Sequence, residues 1–318
     1  MSGVKCFSGA REVDVAIPPG PGWTVVAGPN GSGKSTLLRA VAVALGALPD
    51  AAGGDGRADG RADGRADGRA DGRVDGWVEA SPAPRHRLGE PQGTPRALFV
   101  EHAQGHAVPL DADAVTAVLP EGWRVSDPDR HHVSNGALDL PLAELGDGTA
   151  TLARLVARLT AAAPHPGPVL IDDVDRHLHP VWQQRIGGWL TGRFPQTQFL
   201  VATHSPYVCQ AADPGALIRL PGPAEDFAPH RLDEDLRQRV LYGSGEDTVL
   251  SELFGLPSAY SPAAEAERRL LVRLERKMYA GRATDAELAE YRELGAKLNS
   301  SLTARVDEVT ARLLGRDE

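Results

Sequence analysis

The stretch GPNGSGKST, from Gly28 to Thr36, constrains the chain more than any other. It fits the pattern G-x-x-x-x-G-K-S. Its glycines let successive backbone N–H groups converge on one anion. The flanks supply what such a loop requires. WTVVAG before it, from Trp23 to Gly28, predicts a short buried strand, preceded by the turn cluster IPPGPG. TLLRAVAVALGAL after it places Leu37, Val41 and Leu45 at helical spacing, with Gly46 and Pro49 as terminators. Strand, glycine loop and helix together predict a phosphate cradle formed by Gly28, Pro29, Asn30, Gly31, Ser32, Gly33, Lys34, Ser35 and Thr36. Lys34 would reach the β- and γ-phosphates and Ser35 would ligate Mg²⁺. The helix start would add its positive end.

Two later motifs belong to the same chemistry. In PVLIDD an apolar run leads straight into Asp172, where a strand's carboxyl end can offer a carboxylate to Mg²⁺. Asp173 follows, placed to polarise an attacking water. TQFLVATHS ends a further strand on His204, a candidate partner for the γ-phosphate or that water. Helical patterns separate these strands: GDGTATLARLVARLTAAA opens near Asp147, and PVWQQRIGGWLTGRF starts at Pro180. ALIRL, from Ala216 to Leu220, reads as another strand. The alternation predicts parallel βαβ units in an α/β fold. From Ala103 to Leu142 the pattern is mixed and places no element.

Composition narrows the classes. A net charge of −9 argues against a broad basic face for nucleic acid, though it leaves room for a local patch. Cys6 and Cys209 make neither a disulfide framework nor a C-x-x-C pair, which fits a reducing compartment. No apolar run is long enough to cross a bilayer, and MSGVKCFSGAREVD lacks a signal-peptide core. A cytoplasmic protein with no membrane partner is the expectation. Residues 51–76 carry the repeat Asp-Gly-Arg-Ala, an insertion that buries almost nothing and whose charges nearly cancel. Past PGPAEDFAPH the pattern turns helical, with a capping box from Thr284 to Glu287 and a last helix through Val306, Val309 and Leu313. The expected division is a nucleotide-binding domain over 1–222 and a helical region over 223–318.

Taken together, GPNGSGKSTLLRAVAVALG, LGDGTATLARLVARL, VLIDDVDRHLHPVWQQRI and FPQTQFLVATHSPYV resemble the ABC-type AAA ATPases, soluble P-loop relatives of the SMC, RecF and OLD-family ATPases. The resemblance spans about residues 1–220, with motifs in matching order and spacing. The tail, from LYGSGEDTVLSELFGLPSAYSP onward, looks like that of bacterial relatives in anti-phage defence operons.

What the resemblance implies is a central, mostly parallel sheet and a head-to-tail homodimer enclosing two ATP molecules. Leu145-Gly146-Asp147-Gly148 would be the signature segment that touches the γ-phosphate held by the other protomer. HLHP, from His177 to Pro180, would be a loop at that interface; its histidines otherwise suggest a metal pair, for which a third ligand is not evident. Gln104 is the candidate for the glutamine that couples Mg²⁺ to the helical subdomain, with Glu101 and His102 as rivals. A protein effector, a nuclease or another chain from a neighbouring gene, would receive the signal.

Two positions depart from the family. Gly146 stands where Ser is usual, and Asp173 where the catalytic Glu is usual. They leave open a nucleotide-gated binding module with little hydrolysis. A transporter subunit and a DNA-binding dimer are further alternatives.

Overall fold

The computed structural model describes residues 7, 9–17, 19–47, 77–78, 86–87, 97–100, 108–165, 167–256, 258 and 260–298. The repeat at 51–76, the candidates Gln104, Glu101 and His102, and the expected last helix lie outside the described residues.

After a 3-10 turn at Gly9–Arg11, β1 (Gly22–Ala27) leads through the glycine loop into α1 (Lys34–Ala44). Two short strands, β2 (Trp77–Val78) and β3 (His86–Arg87), pair antiparallel, and β4 (Leu98–Val100) follows. The segment without a clear sequence pattern folds as α2 (Ala112–Thr116) and three strands, β5 (Arg124–Asp127), β6 (His132–Ser134) and β7 (Asp139–Pro141), which form a small antiparallel sheet. His132 and Asp139 pair across it, Nδ1 to Oδ1 at 2.8 Å.

The alternating half of the chain then builds the centre. Its elements are α3 (Asp147–Ala161), β8 (Val169–Ile171), α4 (Pro180–Arg193), β9 (Gln198–Thr203), α5 (Pro206–Cys209), β10 (Leu217–Arg219) and β11 (His230–Arg231). Helices α6 (Glu234–Tyr242) and α7 (Gly245–Leu250) follow. The main sheet runs β11-β10-β1-β9-β8-β4. Every pairing in it is parallel except β10 with β11.

A parallel sheet needs apolar residues on both faces. Trp23, Val25, Ala27, Ile171, Phe199 and Val201 pack on one face, with Leu152, Val156 and Leu159 of α3 and Ile186 and Leu190 of α4. Val26, Leu170, Leu200, Ala202 and Ile218 pack on the other with Leu37, Leu38 and Ala42 of α1. Successive residues alternate between the two clusters, as the strand period of two requires.

Cα packing divides the chain into two compact units, with the break between Gly255 and Leu256. Leu232, Leu236, Val240 and Leu253 lie in the core of the first unit. Its packing therefore continues past residue 222, where the sequence pattern turns helical. The second unit contains α8 (Pro262–Tyr279) and α9 (Asp285–Leu298). Lys277 bridges Glu287 and Lys297 bridges Glu267, each at 2.5 Å, tying these helices as a pair. The capping box is present: Thr284 N–H donates to Glu287 at 2.9 Å and Glu287 N–H to the Thr284 hydroxyl at 3.3 Å. No helix among the described residues is long and apolar enough to cross a membrane.

Gly187 of α4 lies tightly against its neighbours. A Cβ there would stand 2.5 Å from Ala211 Cβ and 3.2 Å from the Trp23 indole, whereas one at Gly188 would meet open space. Gly187→Ala should therefore destabilise the fold by about 1–3 kcal/mol through overpacking. Gly188→Ala should stabilise by up to about 1 kcal/mol through helix propensity. Urea unfolding midpoints of the two variants, shifting in opposite directions, are the check.

Candidate active site

The site is assembled by strand register. Val25 pairs with Val201, and Val201 with Ile171, so β1, β9 and β8 end on one edge of the sheet. The loop after β1, Asp172 after β8 and His204 after β9 all emerge there, where open α/β sheets bind ligands.

Lys34 opens α1 and is 5% exposed. Its ammonium donates to Gly28 O at 2.9 Å, to Pro29 O at 3.1 Å and to Ser32 Oγ at 3.4 Å. The charge is thus folded back over the loop with three acceptors. Gly33, with φ 94°, precedes the helix and gives no side-chain cap, so the first-turn N–H groups of α1 remain available to an anion.

Ser35 Oγ donates to Asp172 Oδ1 at 3.0 Å. This bond joins the glycine loop to the end of β8, and Asp172 is itself buried. A hydroxyl and one carboxylate presenting oxygens side by side suit Mg²⁺, which takes few protein ligands and completes its shell with water and phosphate oxygens. No cluster of three His, Cys, Asp or Glu is found among the described residues, so a metal held wholly by such side chains has no support there.

Asp173 has φ 49°, a left-handed conformation that aspartate tolerates better than most side chains. Burial lowers the Lys34 pKa to about 8, and the charges of Asp173, Asp172 and Asp175 work against that shift. His204 is lowered as well, first by loss of solvent and then by Lys34, with Asp173 and Asp175 opposing. Lys34, Asp172, Asp173, Asp175 and His204 therefore share one electrostatic environment.

Sequence reasoning passed over Asp175. Its Oδ1 accepts from the Thr203 hydroxyl and from His204 N–H, the latter at 3.3 Å. It pins the turn after β8 to the end of β9. Gln183 adds a second tie, accepting from Ser205 Oγ at 2.6 Å and donating to Leu178 O at 2.8 Å. The third acid of IDDVD was the available signal for Asp175; Gln183, inside a helix, carried none.

Gly146 sits exposed before α3 with φ 96° and ψ 152°, a region open essentially to glycine alone. The helix start it introduces, Asp147 and Gly148, has no side-chain cap. A Cβ on Gly148 would stand 2.4 Å from His177 O, so the start of α3 packs against the turn after β8. His179 caps α4, its Nδ1 accepting from Val181 N–H at 3.3 Å.

A glycine loop and buried lysine after β1, and a strand-end aspartate after β8, on parallel strands with β9 between them, define a P-loop nucleotide-binding architecture. Comparison with known proteins narrows the class. Residues 91–210 match the family described as "AAA domain, putative AbiEii toxin, Type IV TA system", and residues 1–76 match a family described as "AAA domain". Two separate stretches of the chain are thus similar to AAA domains.

Among curated proteins it is 30% identical over 178 residues to "Retron Ec83 probable ATPase" of Escherichia coli, which is 52% of this chain and 30% of that protein. It is 41% identical over 87 residues to "Retron Vc95 probable ATPase" of Vibrio cholerae serotype O1 biovar El Tor, covering 24% and 17%. "Septu protein PtuA" of Bacillus thuringiensis is 34% identical over 98 residues, covering 31% and 24%. The chain thus spans less than a third of the length of each of these relatives.

Lys34 makes the site pH-sensitive in a direction that can be worked out. The unfolded chain keeps this proton up to the ordinary lysine value of about 10.5, while the folded chain releases it near 8. Between those values the unfolded state binds more protons, so the Lys34 contribution to fold stability rises with pH. Phosphate binding by Lys34, the role expected from the sequence, would run the other way, because it would need the ammonium. Nucleotide affinity should be flat just below pH 8 and fall about tenfold per unit above it. Calorimetry at pH 9.5 in buffers of different ionisation enthalpy should show uptake of about one proton per nucleotide.

Proposed function

We propose that this chain is a Mg²⁺-dependent ATPase that closes head-to-tail on a second copy when ATP binds, turns over slowly and signals to a protein effector. The observation that carries the reading is the bond between Ser35 and Asp172 beside the buried Lys34. Phosphate oxygens can replace the Gly28, Pro29 and Ser32 oxygens around the Lys34 ammonium. The loop N–H groups and the start of α1 take the remaining phosphate charge. Ser35 and Asp172 would hold Mg²⁺, which would neutralise charge on the phosphate oxygens. Gln104 would couple this metal site to the helical subdomain.

In the same reading, Asp173 orders and polarises the attacking water, and His204, largely neutral at physiological pH, hydrogen-bonds the γ-phosphate or that water. Asp175 holds the His204 backbone in place for that role. The exposed start of α3, with Gly146, Asp147 and Gly148, would meet the γ-phosphate bound by the second copy, as helix N-termini meet anions. The contact of Gly148 with His177 supports a composite surface made of this helix start and HLHP. The retron and Septu relatives support a place in anti-phage defence, with the helical second unit as the effector-docking region.

A second reading, ATP-gated association with almost no hydrolysis, is favoured by two observations. Asp173 is one methylene shorter than glutamate. The backbone at Gly146 excludes the usual serine hydroxyl. Misplacing a catalytic group by about 1 Å can cost about 100-fold in rate.

Wild type should therefore dimerise with MgATP in light scattering yet release phosphate slowly. Asp173→Glu should raise steady-state release by about 10-fold or more, short of 100-fold because glutamate suits φ 49° less well than aspartate. Lys34→Ala should abolish both nucleotide binding and dimerisation. Fast wild-type turnover that Asp173→Glu slows would overturn the assignment of Asp173. Dimerisation without any phosphate release would decide for the gated module.

A further inference from the structure

The glycine loop is braced from outside by a segment far along the chain. Leu220 N–H donates to Ala27 O at 2.9 Å, continuing β10 alongside the start of the loop. Its carbonyl lies so close to Gly28 that a Cβ there would stand 2.6 Å away. A Cβ on Gly31 would meet Pro223 Cγ at 3.0 Å, and one on Gly222 would meet Pro29 Cγ at 3.0 Å. Residues 220–223 therefore form a tight wall behind residues 28–31, with prolines and glycines meshed on both sides.

The wall is itself held by one carboxylate. Glu225 Oε2 accepts from Gly222 N–H at 2.6 Å, and its Oε1 accepts from Arg219 at 2.6 Å. Burial works to raise the Glu225 carboxyl, but the Gly222 N–H and then the Arg219 guanidinium outweigh it and hold it below its usual range. The Arg219 side chain is 10% exposed and lies 4.5 Å from the Phe227 ring centroid. Arg11 donates to Pro221 O at 2.9 Å, and its charge also helps to lower the Glu225 carboxyl.

Removing the Glu225 charge would leave Arg219 buried and poorly compensated and would free Gly222 N–H. The wall would relax, and the loop would lose the surface that limits its conformations. A glycine-rich loop has many alternatives to the anion-binding one, so its affinity depends on what excludes them.

We propose that Glu225, acting through Gly222 and Arg219, is a positioning residue for the phosphate loop and sets its affinity for nucleotide. The proposal rests on the reading of Gly28–Thr36 as the nucleotide cradle. It goes beyond that reading by assigning control of the cradle to residues outside every motif.

The test uses the full chain, a fluorescent N-methylanthraniloyl ATP with Mg²⁺, and thermal unfolding measured without nucleotide. Glu225→Gln should weaken binding about tenfold. Gly222→Ala, which drives a methyl group at Pro29 and keeps the Glu225 charge, should also weaken it severalfold. Asp226→Asn, at an exposed neighbour, should bind as wild type does. Melting temperatures of Glu225→Gln and Gly222→Ala should fall by several degrees, so binding is measured well below the melting temperature of each variant, where the chain is fully folded.

Wild-type affinity in both Glu225→Gln and Gly222→Ala would overturn the proposal. So would a loss of affinity that disappears when binding is measured at a temperature where the variant is fully folded, the mark of a merely structural role. Absence of binding by wild type itself would overturn the nucleotide-cradle reading, and this proposal with it.

Discussion

Because β1, β9 and β8 run side by side in one direction, every segment leaving them emerges on the same edge of the sheet. Residues remote in sequence meet there without any loop having to search for the others. Ser35 and Asp172 come within 3.0 Å because α1 starts at the end of one strand and Asp172 caps another. Core packing maintains this register. A slip of one residue in β9 would exchange Phe199 and Val201 with Leu200 and Ala202 between the two faces, and each face is closed by helices of fixed shape.

Around that edge the backbone leaves its ordinary conformations repeatedly. Asp173 and His177, within one turn after β8, are two of the non-glycine residues with positive φ, at 49° and 62°. Gly146, before α3, lies at φ 96° and ψ 152°. Strained backbone persists only where surrounding structure holds it. Here Asp175 ties the turn to Thr203 and His204, and Gly148 lies against His177 O. The two departures from the family pattern also take on a backbone meaning. Aspartate suits a left-handed position, and Gly146 occupies a conformation that serine would rarely adopt. Each exchange of side chain comes with a particular local geometry.

Much of this was legible in the sequence, and the reasons differ by element. The glycine loop, the strand running into Asp172 and the strand ending at His204 were readable because both-face burial makes parallel strands into unbroken apolar runs. Helix α3 was readable from its apolar period and its entry at Asp147. The sheet of β5, β6 and β7 was not. Its strands are three or four residues long, and β5 and β7 bury no residue fully, so the apolar alternation is too weak to register. The Glu225–Arg219–Gly222 cluster was invisible for another reason. Its importance comes from a contact between residues 220–223 and 28–31, and no local pattern reports a contact across that separation. The packing of residues 232–253 onto the first unit was hidden likewise, since a helical pattern does not say which core a helix joins.

Lys34 shows how the parts act on one another. Burying an ammonium is costly, and loss of solvent accordingly lowers the Lys34 pKa. Three oxygens from the loop offset part of it, and three aspartates at a greater remove offset more. None of these partners has to stay with the ammonium. The Gly28 and Pro29 carbonyls belong to a loop whose shape is set by the wall at 220–223. The aspartates belong to a turn tied to β9 by Asp175. A polyanion arriving at the loop would find a cation already desolvated and already surrounded by rigid backbone, so little reorganisation remains to oppose binding. In this arrangement the strain on Lys34 and the rigidity of its neighbours are one property, and loosening either the wall or the turn would weaken the same interaction.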